Sequence, residues 1–72
     1  MKQLSPREKE ILNMVIGGMT TIKIAEALKL SKRTVDAHRR NIIRKSGTPG
    51  LIGLYQYALR NNYINPNNKI SI

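Results

Sequence analysis

An all-α domain of four helices, the second and third forming a helix-turn-helix, is the fold that this sequence predicts. Three observations point to it. Apolar residues recur at i, i+3 and i+4 in four stretches, helix-starting and helix-stopping residues punctuate the chain between them, and no segment sustains the apolar-polar alternation of a half-buried strand. With 72 residues there is room for one small domain. A domain of about 60 residues buries only about 60% of its unfolded surface, so a deep substrate pocket enclosed by the monomer is not expected.

The first helix starts at Ser5-Pro6-Arg7-Glu8. Ser5 can accept from first-turn amides, Pro6 has a helical φ, and Glu8 completes a capping box. Ile11, Leu12, Val15 and Ile16 form its inward face, Met14 and Met19 read as core filler, and Gly17-Gly18 is the stop. Thr20 caps the second helix, whose short inward face is Ile24, Ala25 and Leu28; Lys23 stands where a capping box would place an acid. Only Lys29 and Leu30 separate it from the next cap, Ser31. Two helices joined so tightly have the form of a helix-turn-helix. The third helix runs to Ser46 and stops at Gly47, and its inward side is set by Val35 and Ile42 with His38 beside them. Thr48-Pro49 reads as the fourth start, Leu51, Leu54, Tyr55, Ala58 and Leu59 as its apolar face, and Asn61-Asn62 as its fraying end. Tyr57 and Tyr63 read as cover for an exposed edge. The domain thus spans residues 1–64, and the polar tail 65–72, with Pro66, is expected to be irregular.

Thirteen Lys and Arg against four Asp and Glu give a net charge of +9 and a pI near 10.5. Such a balance favours a polyanionic partner, nucleic acid before anionic membrane. There is no cysteine, hence no disulfide framework and no thiolate metal site, and a single histidine cannot build a His-based one. The acids Glu8, Glu10, Glu26 and Asp36 supply no convincing acid-base dyad, since Glu8 is explained by its cap and Glu10 by exposure. No enzyme, cofactor or metal is therefore expected. MKQLSPREKE lacks the apolar run of a signal peptide and no stretch approaches the ~18 apolar residues of a membrane span, which suggests a cytoplasmic protein with no membrane partner.

The charge is concentrated in SKRTVDAHRRNIIRK, residues 31–45, where six Lys or Arg residues surround one acid. On a helical wheel Arg33, Ala37, Arg40 and Arg44 fall opposite Val35 and Ile42. A basic stripe with one small residue suits a DNA groove, since Arg can donate twice to guanine and a small side chain allows close approach. Lys32 and Arg33 occupy the first turn, where the helix dipole disfavours cations by about 0.3 to 1 kcal/mol each. A solvated surface gives no reason for that placement, whereas a phosphate clamp does. Thr20, Thr21, Ser31 and Thr34 can add neutral phosphate contacts, with helix capping an equal claim on Thr20 and Ser31.

LSPREKEIL at 4–12, IAEAL at 24–28, and Ser31-x-x-Thr34-Val35-x-x-His38 followed by Asn41-Ile42-Ile43-x-Lys45 resemble the LuxR/GerE-type helix-turn-helix domain, also found in NarL/FixJ-type response regulators. The resemblance covers residues 4–64 and lies in the aggregate of motifs. It implies that the third helix, about residues 32–46, enters the major groove, with Asp36, Ala37 and Arg40 facing bases and Lys32, Arg33, Thr34, Arg44 and Lys45 near the backbone. It also implies a fourth helix that contributes to a homodimer on a two-fold-related site. Four departures stand out. Lys23 replaces the usual acid before Ile-Ala and adds charge near DNA; Asp36 replaces what is often a basic residue; Ser46 stands where Leu is usual and leaves the core a side chain short; Leu51 and Gly53 replace residues that usually brace the fourth helix.

A sequence-specific transcriptional regulator binding double-stranded DNA, as a dimer on an inverted repeat, is the expected function, with RNA polymerase a further candidate partner. Ile52, Tyr55, Gln56 and Leu59 could form the two-fold patch, or their apolar members could only seal the core. The rival readings are a domain like region 4 of a sigma factor and a non-specific binder of RNA or anionic surfaces, which charge alone would serve. Asp36, with Lys32, Arg33, Arg39 and Arg40 at i−4, i−3, i+3 and i+4, could organise those cations or accept from a base.

Overall fold

The computed structural model describes residues 3–63, and the tail assigned to 65–72 lies outside them. Four helices follow in order: α1 (Pro6–Ile16), α2 (Thr21–Leu28), α3 (Lys32–Ser46) and α4 (Leu51–Arg60), with no strand among the described residues. The expected all-α helix-turn-helix fold is present.

The helix starts follow the capping signals in three cases of four. The Ser5 hydroxyl accepts from the Glu8 amide at 3.1 Å, and the Glu8 carboxylate accepts from the Ser5 amide at 2.8 Å, closing the capping box. Thr20 accepts from the Lys23 amide and Ser31 from the Thr34 amide, so both hydroxyls do cap their helices. The fourth start differs. Thr48 does not cap α4; Gly50 is the N-cap, with no side-chain hydrogen bond, and the helix begins at Leu51 rather than Pro49. The Ser46 hydroxyl explains the delay, because it bonds the Ile43 and Thr48 carbonyls and accepts from the Thr48 amide, holding Thr48 in the turn. Ser46 therefore has its polar needs met in the place of an apolar side chain.

Three helices end in one design. After α1 the Met19 amide donates to the Met14 carbonyl and Gly18 has φ +93°; after α2 Leu30 donates to Ala25 and Lys29 has φ +57°; after α4 Tyr63 donates to Ala58 and Asn62 has φ +58°. These are Schellman closures, in which a left-handed residue lets the chain satisfy otherwise orphaned carbonyls. The expected fraying at Asn61-Asn62 is thus replaced by an ordered stop, and the Asn61 side chain also donates to the Tyr57 carbonyl at 2.8 Å.

The core joins Leu4, Ile11, Leu12, Val15 and Ile16 to Ile24 and Ala25 of α2, Val35 and Ile42 of α3, and Leu54, Tyr57 and Ala58 of α4. Met14, Met19 and Leu28 pack against it as partly buried members, as do Tyr55 and Leu59. Two expectations for α4 change. Tyr57 is buried, not edge cover, and meets Tyr63 edge-on with centroids 5.8 Å apart. Leu51, assigned inward, is 37% exposed, because the later helix start leaves it at the rim. Tyr63 pins the end of α4 to α1: its carbonyl accepts from Asn13 at 3.1 Å and the Lys9 ammonium lies 4.9 Å over its ring. Gly53 has a packing reason, since a Cβ there would stand 2.9 Å from the Thr48 Cβ.

Candidate nucleic-acid interface

Val35 and Ile42 fix the rotation of α3 about its axis, because both are fully packed in the core. Everything on the opposite side must then face outward. Arg33, Arg40 and Arg44 are exposed and Ala37 is half-buried between them, as the wheel requires. Among the described residues neither Arg33 nor Arg40 has a hydrogen bond or an ion pair, so both guanidinium groups are available to an outside acceptor. Arg44 donates to the Asn41 side chain at 2.7 Å and keeps further donors free.

Asp36 is half-buried on the flank of this stripe. Of its four basic neighbours in the helix, only Lys32 is its ion-pair partner, at 3.8 Å, with the lysine well exposed and the Asp36 side chain still in reach of water. An exposed pair of that length contributes about 0 to 0.5 kcal/mol. The role of organising four cations reduces to a weak contact with one. Arg39 turns the other way, donating to the Thr21 hydroxyl of α2 at 3.2 Å.

Thr20, Thr21 and Lys23 gather at the start of α2, and Ser31, Lys32, Arg33 and Thr34 at the start of α3. Neither first turn contains an acid. The Thr20 and Thr21 oxygens accept internal hydrogen bonds, from Lys23 and Arg39, which leaves each hydroxyl hydrogen free to donate outward. Ser31 and Thr34 share a hydroxyl contact of 2.9 Å. The helix-turn-helix thus presents two amino-terminal turns and one basic helix face.

Lys45 stands apart from the other backbone candidates. Its ammonium donates to the Glu8 carboxylate at 2.8 Å and to the Gln3 carbonyl at 3.2 Å, tying the end of α3 to the start of α1. Burial pushes the Glu8 carboxyl up, but the Lys45 hydrogen bond and charge and the Ser5 amide outweigh it and hold the group below the ordinary carboxylate range. The spacing of 37 residues hides this pair from any local pattern. Burial, with Tyr63 beside it, raises the Tyr57 phenol.

The dimerisation candidates lie along the outer side of α4. Ile52 is 68% exposed and Gln56 is exposed, while Tyr55 and Leu59 are partly buried against the core. Arg39, in the sequence only a neighbour of Asp36, joins the two helices of the motif through its bond to Thr21, a contact 18 residues apart that no local pattern signals. Among the described residues, no group of three or more His, Cys, Asp or Glu could hold a metal ion, and no helix is long and apolar enough to cross a membrane.

A short turn between α2 and α3, an anchored third helix and a cationic outer face define a helix-turn-helix domain of the kind found in transcription regulators. The chain belongs to the LuxR family of bacterial regulatory proteins, whose GerE domain it matches over residues 2–58. It is 39% identical over 56 residues to the transcriptional regulatory protein MctR of Rhizobium johnstonii, covering 78% of this chain and 26% of that protein. It is 45% identical over 58 residues to the uncharacterized response regulatory protein YgeK of Escherichia coli, covering 81% and 40%. It is 42% identical over 55 residues to the Fimbriae Z protein of Salmonella typhimurium, covering 76% and 26%. The chain therefore spans between about a quarter and two fifths of these relatives' lengths. No solved structure matches it.

Proposed function

We propose that this domain binds duplex DNA in a sequence-specific manner, with α3 in the major groove and as a homodimer on an inverted repeat, and that it thereby regulates transcription in the cytoplasm. One observation carries the reading: Arg33 and Arg40 extend from the outward face of a helix locked by Val35 and Ile42, with no internal partner among the described residues. Asp36, Ala37 and Arg40 are the base-facing set. Thr20, Thr21, Lys23, Ser31, Lys32, Arg33, Thr34 and Arg44 serve the phosphates, with Lys45 at the border because Glu8 already neutralises it. Ile52, Tyr55, Gln56 and Leu59 form the two-fold contact, which sets half-sites about one helical turn, ~10 bp, apart or at a related spacing. RNA polymerase is a partner of the DNA-bound dimer, and a receiver or ligand domain in a longer chain would control it.

Selection of bound duplexes from a random pool tests this directly. An enriched two-fold motif is expected. Arg40→Ala should weaken binding to it by about 1 to 3 kcal/mol and relax one base position. A pool without an enriched motif, bound with steep salt dependence, would identify charge-driven, non-specific binding instead.

A further inference from the structure

No other cation among the described residues combines the three properties of Arg39. It is partly buried, it bridges two helices through its 3.2 Å bond to the Thr21 hydroxyl, and it has no carboxylate partner among the described residues. None of the four acids neutralises it: Glu8 pairs with Lys45 and Glu10 with Arg7, Asp36 makes only its weak contact with Lys32, and Glu26, exposed on α2, forms no ion pair with it. Its side chain also borders an open cleft of about 290 Å³ between the end of α1 and the start of α4, lined by Met19, Pro49 and Leu51, and those residues bring no negative charge. A cation withdrawn from water without a counter-ion is unfavourable, and an external anion removes the penalty.

We propose that Arg39 and Thr21 together hold one phosphate of duplex DNA, so that a single backbone group clamps α2 to α3 while α3 reads the bases. The inference rests on the DNA-binding function proposed above. The chemistry fits a phosphate in particular. A guanidinium has five N–H donors in a planar fork, of which Thr21 takes one, and a fork binds two phosphate oxygens side by side. Because the Thr21 oxygen accepts from Arg39, its hydroxyl hydrogen is free to donate to a phosphate oxygen, and Lys23 adds charge in the same turn of α2. Arg39 is then a positioning residue, fixing the angle at which the recognition helix meets the groove, and carries no base preference of its own.

The test uses the selected duplex, a series of single neutral methylphosphonate substitutions along its backbone, and the wild type beside Arg39→Met, Arg39→Lys and Thr21→Val. In wild type one substituted phosphate should weaken binding roughly tenfold, as loss of a charged hydrogen bond does. Arg39→Met should be insensitive to that substitution, lower the slope of log affinity against log salt by about one, and leave the selected motif unchanged. Arg39→Lys should keep the slope, and Thr21→Val should weaken binding a few-fold at the same phosphate. Thermal melts identify any variant that unfolds, and the two milder variants carry the comparison if Arg39→Met does. Additive effects at every phosphate with an unchanged slope would overturn the clamp and leave Arg39 to interhelical packing or an acidic protein partner. Failure of the wild type to bind any duplex would instead overturn the DNA-binding function itself.

Discussion

Replacing Glu8 by Gln tests the join between α1 and α3. The substitution keeps size and shape, and its amide oxygen can still accept from the Ser5 amide that now lies 2.8 Å from the carboxylate. What it removes is charge. The Lys45 ammonium, a quarter exposed, would keep the Gln3 carbonyl at 3.2 Å and a neutral oxygen in place of the carboxylate at 2.8 Å. A hydrogen bond to a charged group contributes about 1.5 to 3 kcal/mol and a neutral one about 0.5 to 1.5, a difference near 1 to 1.5. Loss of the anion from the first turn adds about 0.3 to 1. The 3 to 5 kcal/mol typical of breaking a deeply buried pair does not apply, since the domain is only 19 Å across its short axis and Lys45 stays in reach of water.

Glu8→Gln should therefore destabilise the domain by about 2 kcal/mol at neutral pH, readable by urea titration of the helical circular dichroism. The gap has a definite pH dependence. Because the folded carboxyl is held below its ordinary value, its contribution is complete above the unfolded pKa, about 4.3, and is lost as the pH falls through the folded value. Wild type and variant should converge in acid. A gap of the same size at both ends of the titration, or none at neutral pH, would refute the ion pair as its source.

Three further substitutions have outcomes set by geometry. Gly53→Ala should lower stability by roughly 1 to 2 kcal/mol in a thermal melt, against the ~1 kcal/mol gain that helix propensity alone gives, because its Cβ would stand 2.9 Å from the Thr48 Cβ; a higher melting temperature would refute the clash. Lys29→Gly should raise stability by about 0.5 to 1 kcal/mol, since a lysine at φ +57° carries left-handed strain that glycine avoids, and a lower melting temperature would show that the lysine side chain contributes more than the strain costs. Asp36→Ala should change stability by less than about 0.5 kcal/mol, given its exposed 3.8 Å contact with Lys32, and should alter one position of the selected DNA motif; a uniform gain in affinity with the motif intact would leave it a purely electrostatic role.

What the sequence made legible was local. Ser5, Thr20 and Ser31 name their helix starts because a cap bonds an amide three residues on, and the apolar faces of α1 and α3 follow from the rotation per residue. The misreadings lie where a distant or unusual contact overrides the local pattern. Thr48-Pro49 has the form of a helix start, but Ser46 captures Thr48 and the side chain of Thr48 rests on Gly53. Tyr57 has no local signal of burial because its ring partner Tyr63 is brought back over it by a closure formed by Asn62 in a left-handed conformation. Lys45 and Arg39 belong to one basic run in sequence, and only the fold separates the lysine neutralised by Glu8 from the arginine bonded to Thr21.

That separation bears on why the charge is retained. Only α1 begins with an acid, and that acid is spoken for by Lys45; α2 begins with Lys23 and α3 with Lys32 and Arg33. Each such cation opposes the helix dipole by about 0.3 to 1 kcal/mol, so three of them cost about 1 to 3 kcal/mol, relieved slightly at Lys32 by Asp36. A chain of this length has a total stability of roughly 4 to 10 kcal/mol, at about 0.05 to 0.15 per residue. A substantial fraction of it is thus forgone at two helix starts flanking one basic face. No internal contact recovers that loss for Lys23 or Arg33 among the described residues, whereas a polyanion spanning both turns would. The placement of the cations, more than their number, is what argues for a backbone of phosphates as the surface this domain is built to meet.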